Sequence, residues 1–335
     1  MGHPDKPINM VIVLPEGAAR SQIEDAAQTF AARLTYGLPG PEATPVSTAK
    51  ATTTGSADTT AAPTESPTPT AVPRYTFTAT VFDTNAEAIT ALCEQDEPAI
   101  GWVDAWGYLV VEAMDCASPR YIVKTGRGRR ARTHTDDAQV TIIYNSVRWI
   151  STRGQPIETM SDLQGQPFCR LQGEYDDPLA WRIPALMLMT GGIDPIDVGV
   201  PGGLGSITEY EDLEEMVSEV YDAAGDCIGA VVPADWQDDV KDLEETLGDL
   251  SLQIGEFEAS VVIPNPVMVY PNTIHQGIRN HVDQTIEDLL EDDAGARLLK
   301  LLFDADDLVD VDAEDFDEFR TFIEAAGIDP IALGQ

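Results

Sequence analysis

Two short stretches set an acid against tryptophan directly after an apolar run. One is Trp102-Val103-Asp104-Ala105-Trp106, with Tyr108 two residues on, and the other is Val232-Pro233-Ala234-Asp235-Trp236. Ligands in open α/β sheets bind beyond the carboxyl ends of the strands, so both stretches are placed to meet one. Aromatic faces hold ammonium groups by cation–π attraction, at about 0.5–2 kcal/mol each. Tyr144 and Trp149, then Tyr175, Asp176, Asp177 and Trp181, continue the pattern along the chain. For each aromatic the alternative is core packing, and for Asp104 and Asp235 it is plain exposure.

Other chemistry is missing. The four histidines, His3, His134, His275 and His281, have no cysteine or acidic partner at ligand spacing. Neither a nucleophile elbow, a phosphate-binding Walker loop nor a dinucleotide fingerprint is present. The acid-rich stretch 304–317 lacks the glycine and terminal glutamate of a calcium loop. The sequence therefore predicts no enzyme, no metal and no cofactor. Its four cysteines are not in zinc spacing, and an even count in a chain that reads as secreted predicts two disulfides. These are Cys93 with Cys116 and Cys169 with Cys227, each inside one half; four buried thiols are the alternative. The cluster Arg127, Arg129, Arg130 and Arg132 reads as a solvated turn, or as a grip on acids of the second half, a partner or a ligand carboxylate.

A formal charge of −38 over 335 residues, with 58 acids against 20 bases, makes nucleic acid and anionic membrane poor partners. No run reaches the roughly 18–20 apolar residues of a spanning helix. Met1-Gly2-His3 reads as an added start on a mature sequence whose leader is gone.

The elements that must position these residues alternate. A strand at Asn9–Leu14 leads to a helix from Ser21, with a capping box to Glu24 and a terminating Gly37. Residues 40–74 are Thr-, Ala-, Pro- and Ser-rich, with no Leu, Ile, Met or aromatic from Pro41 to Arg74, and are expected to be a disordered insertion. Strand Tyr75–Val81, a second capping box at Thr84 and Glu87, strand Ala99–Trp102 and a helix from Gly107 follow. Val140–Tyr144 and Ala259–Ile263 read as crossing strands around a second α/β set. Three helical segments near 275–290, 294–303 and 313–326 then return to the first lobe.

The order and wording of several segments resemble the phosphate/phosphonate-type solute-binding proteins of ABC transporters. The stretches are Met160–Cys169, Ala185 to Pro195, Val220 to Ala230, Ile263-Pro264-Asn265 and Phe316 to Asp329. The resemblance covers about 75–330 with the first strand and helix. It implies the two-lobe type II periplasmic-binding-protein fold, with a mixed sheet flanked by helices in each lobe and two crossing strands as hinge. Lobe one would comprise 1–145 and 262–335, and lobe two 146–261. It further implies a monomeric extracytoplasmic protein, lipid-anchored through a removed N-terminus, that passes a small solute to an ABC permease. A ligand sensor or surface receptor with the same fold is the alternative. The resemblance also supports the Cys169–Cys227 bridge.

The family's ligand motif is altered. Members carry S-T-S-G-W at a helix N-terminus that binds phosphoryl oxygens. Aligning Trp181 with that tryptophan puts Asp177-Pro178-Leu179-Ala180 in place of the small hydroxyl residues. A second element, G-S-H-D, falls on Glu211-Asp212-Leu213-Glu214. Carboxylates at both positions repel an anion, so the solute is expected to be cationic, zwitterionic or neutral. Asp177-Pro178 also reads as an ordinary N-cap followed by proline at the first helical position.

Overall fold

The computed structural model describes residues 6–15, 18–37, 73–94, 99–126, 139–172, 181–196, 198–222 and 225–329. The insertion over residues 40–72 and the arginine cluster lie outside the described residues, as do Tyr175, Asp176 and Asp177.

The chain begins with β1 (Ile8–Val13), α1 (Arg20–Tyr36), β2 (Phe77–Phe82), α2 (Asn85–Cys93), β3 (Ala99–Val103), α3 (Ala105–Ala113) and β4 (Ala117–Lys124). It continues through β5 (Val140–Asn145), α4 (Ser146–Arg153), β6 (Pro167–Leu171), α5 (Ile183–Thr190), β7 (Ser206–Tyr210), α6 (Leu213–Tyr221) and β8 (Gly229–Pro233). Two short helices, α7 (Trp236–Asp239) and α8 (Lys241–Leu247), precede β9 (Ile254–Glu256). The return adds β10 (Val267–Pro271), α9 (Gln276–Glu291), α10 (Asp293–Phe303), β11 (Asp307–Asp310) and α11 (Asp317–Ala325).

Two sheets result. The first has the order β11-β4-β10-β3-β1-β2 and the second β7-β6-β8-β5-β9. Leaving β11 aside, both follow one scheme. The first strand lies between the second and third, which run parallel to it, and an antiparallel strand then separates the third from the fourth. In each sheet that antiparallel strand is the first one the chain lays down after crossing over: β5 for the second sheet and β10 for the first. This is the two-lobe type II arrangement, and each sheet is mixed and flanked by helices. Of the two runs read as crossings, one is β5. The other, Ala259–Ile263, forms no strand and instead passes as irregular chain beside the start of β5. There the Ser260 N–H donates to the Val140 carbonyl at 2.8 Å, and the Val140 N–H to the Ser260 hydroxyl at 3.1 Å.

Helix starts differ from expectation at two places. Helix α1 begins at Arg20, so Ser21 is already helical and the N-cap Ala19 has no side chain to offer. Glu24 pairs with Arg20 at 3.0 Å instead of closing a box. Thr84 does cap α2, accepting from the Glu87 N–H at 3.3 Å, but the Glu87 carboxylate accepts from Asp83, one residue early. Gly37 ends α1 as expected, at φ 76°.

Three apolar clusters hold the molecule. One lies behind the first sheet against α1, α9 and α10, and contains Trp102, which stacks on Phe303 at 4.1 Å. A second backs the other sheet around Trp236 and the Cys169–Cys227 pair. The third runs through both lobes, joining Trp106 and Phe319 of the first to Trp149, Trp181 and Met187 of the second. Both expected cysteine pairs are bonded, with Cα separations of 5.4 Å for Cys93–Cys116 and 5.8 Å for Cys169–Cys227. Among the described residues, no helix is long and apolar enough to cross a membrane.

Candidate functional site

Strand β3 is buried along its whole length and delivers Asp104 to its carboxyl end, where the residue caps α3. One carboxylate oxygen accepts from the Gly107 N–H at 2.7 Å and the other from the Asn85 side-chain amide at 2.7 Å. The Trp106 backbone N–H also bonds to this carboxylate, and together these contacts fix its orientation. Burial pushes the Asp104 carboxyl above its ordinary range, opposed by the Gly107 N–H, by the Arg182 charge and by Asn85. Arg182 belongs to the other lobe, in the turn that opens α5. Its guanidinium carbon also lies 5.8 Å from the centre of the Trp106 ring.

Trp106 is the second residue of α3, 4% exposed, and packs edge-to-face on Phe319 at 5.0 Å. Its indole N–H is buried with no hydrogen-bond partner among the described residues. Where the lobes meet, lobe one thus brings a carboxylate and an indole. Lobe two supplies a guanidinium and, beside it, Trp181. That second indole lies over Arg170 (4.9 Å to the ring centre), a buried arginine paired with Glu209 across β6 and β7.

The other expected site residues are elsewhere. Trp102 precedes Val103 on β3, so its side chain leaves the opposite face of the pleat and joins the core behind the sheet. Tyr108 is buried in α3, its hydroxyl donating to Glu112 at 2.9 Å, and Glu112 is gripped by Arg320. Burial, then Glu112, push the Tyr108 hydroxyl well up. Tyr144 is half-buried on β5 against Phe257, ring centres 5.0 Å apart. Trp149 is buried in α4 beneath Arg153. Asp235 is exposed at the start of α7, its carbonyl accepting from the Asp238 N–H at 2.8 Å. Asp212, aligned with the second family element, caps α6 through the Glu215 N–H at 2.9 Å. Sequence reasoning missed Asn85 and Arg182. The signal for Arg182 was its place next to Trp181, in a chain with 20 bases against 58 acids.

A separate hollow of about 520 Å³ opens between the lobes at the other end of α5. Met160, Met187 and Thr190 form its lobe-two wall, and Glu318 and Phe322 of α11 face them. Its floor is the crossing itself, Gln139 and residues 257–261. The Gln139 side-chain amide ties the two crossing segments together by donating to the Ser260 carbonyl at 2.6 Å.

No family model matches the chain, and no curated protein does either. Among solved structures it is similar to the binding protein component of an ABC phosphonate transporter from Pseudomonas aeruginosa. That match has 12% identity over 96% of this chain and 87% of the other, with a TM-score of 0.47. It is also similar to PhnD1 from Prochlorococcus marinus in complex with methylphosphonate, at 9% identity over 96% and 98% of the two chains and a TM-score of 0.44. A third similar structure is the alkanesulfonate-binding protein SsuA from Xanthomonas axonopodis pv. citri bound to MOPS, at 12% identity over 98% and 82% and a TM-score of 0.31. The strand order repeated in both sheets gives this chain the two-lobe fold of the type II periplasmic binding proteins.

Proposed function

We propose that this protein is an extracytoplasmic solute-binding protein that closes two lobes on a small zwitterion and passes it to an ABC permease. Lobe one is 1–145 with 262–335 and lobe two is 146–261, β5 being the strand that lobe two takes from the first span. The observation that carries the reading is the placing of Asp104 and Arg182, opposite charges from opposite lobes, beside the Trp106 ring. A solute with an ammonium and a carboxylate group satisfies both charges as the lobes close, with indole faces around its body. A simple phosphonate meets Arg182 but also the Asp104 carboxylate, whose repulsion disfavours it in a desolvated cleft. The chain performs no catalysis in this reading.

A thermal-shift screen against amino acids, betaines, simple alkylammonium ions, carboxylates and phosphonates tests this. A ligand at 100 times its dissociation constant stabilises by about 2.7 kcal/mol. The expected result is a response to zwitterions that disappears in Arg182→Ala. A response to phosphonates alone would contradict the reading. The Thr/Pro-rich insertion, with the composition of a surface stalk, favours a second reading in which the same cleft serves a sensor or receptor. Capture of the permease by the liganded protein separates the two.

A further inference from the structure

The hollow at the crossing is distinct from the Asp104 and Arg182 pair at the start of α5. Arg182 stands at the start of α5 and Thr190 at its end, a rise of about 12 Å along the helix axis. The first end meets Trp106, and the second meets Glu318 and Phe322. At about 520 Å³ the hollow falls within the range of small-molecule sites, roughly 300–1,000 Å³.

Its chemistry is one-sided. Glu258, from the crossing, and Glu318, from α11, are exposed and give it two carboxylates. Phe257 and Phe322 supply aromatic faces, and Met160 and Met187 supply polarizable thioethers that adapt to an irregular apolar body. No lysine or arginine lines it among the described residues. Anions are therefore repelled, while an ammonium group gains both Coulomb and cation–π attraction and loses little hydration at so open a mouth.

We infer that this hollow is a second ligand site, taking organic ammonium ions at the hinge. Its two walls belong to opposite lobes and its floor is the pair of segments on which they turn. An occupant therefore touches all the parts whose spacing changes on closure. The assignment of the site does not depend on what the Asp104 cleft binds.

Calorimetric titration with tetramethylammonium, putrescine and 2-phenylethylammonium tests it, with 3-phenylpropanoate as the anionic counterpart. The expected result is binding of at least one cation and none of the anion. In a Glu258→Gln, Glu318→Gln double variant the cation affinity falls tenfold or more, and in Asp104→Asn it is unchanged. Both glutamates are exposed, so the double variant is expected to fold; its melting curve checks this. Failure of all three cations to bind, or equal binding by the double variant, overturns the site. Loss of cation binding in Asp104→Asn alone also overturns it, and assigns the ammonium group to the front cleft instead, leaving the proposed function standing.

Discussion

The two lobes share one strand order and differ in what covers it. Lobe one adds β11 and packs α1, α9 and α10 behind its sheet, with Trp102, Phe30 and Phe303 together in one core. Lobe two has a smaller cover. Helix α8 contributes no buried residue, and the cluster behind the sheet centres on Trp236 and a fully buried disulfide. Strand order follows from connectivity, because each crossing must deliver an antiparallel strand beside the third parallel one. Stability follows from the cover. Lobe two is therefore expected to depend on a few groups where lobe one depends on many.

The comparison can be broken most forcefully at Trp236. Replacing it with alanine removes a buried indole and is expected to cost about 3–5 kcal/mol. Urea unfolding should then show lobe two melting ahead of lobe one. Trp102→Ala, of similar cost, should instead bring down lobe one; a single shared transition in both variants would show that the lobes unfold as one unit. Next come the disulfides, whose removal costs about 2–5 kcal/mol each. The Cys169–Cys227 bridge spans 58 residues and Cys93–Cys116 spans 23. The chain-entropy relation makes the first worth about 0.8 kcal/mol more. Paired serine variants compared by denaturant midpoint measure that difference, and the reverse order would contradict it.

Smaller effects sharpen the contrast at the helix starts. Asp212→Ala removes the cap of α6 and should cost about 1 kcal/mol, read in the same way. Asp104 caps α3 too, but its effect has the opposite sign. Its carboxyl titrates above the unfolded value of about 3.9, so the folded state holds the proton more tightly. Stability then falls as pH rises from the unfolded value through the higher folded one. Asparagine caps a helix as well as aspartate does, so Asp104→Asn should melt higher than the parent at pH 7, with the gap closing near pH 3.5. A lower melting point at pH 7 would show that Arg182 and Asn85 outweigh the burial.

Much of the fold was legible because apolar alternation and helix spacing are local signals. Strands β1, β3 and β8 and helices α9 and α10 stand close to where the periodicity puts them. The cysteine pairs were legible from their count and their separation into halves. The site was less so. Trp102 and Asp104 are two residues apart and share a motif, yet Trp102 joins the core behind the sheet while Asp104, past the strand end, turns to cap α3. Only the sheet's position between two helical layers decides which face meets the other lobe. Arg182 acquires its meaning from Trp106, 76 positions earlier in sequence, and no local pattern carries such a pairing. The hollow at the hinge draws on five separate stretches, at Gln139, Met160, 187–190, 257–261 and 318–322, and only their packing together reveals it.

The most direct test of the zwitterion reading is a titration of the zwitterion found by screening, with its amide and its N-acyl derivative, against the parent protein, Asp104→Asn and Arg182→Ala. The account predicts that blocking the carboxylate weakens binding to the parent but not to Arg182→Ala. Blocking the amine should weaken binding to the parent but not to Asp104→Asn. If both variants bind the unmodified zwitterion as the parent does, the solute is held elsewhere and the assignment of these two residues is wrong.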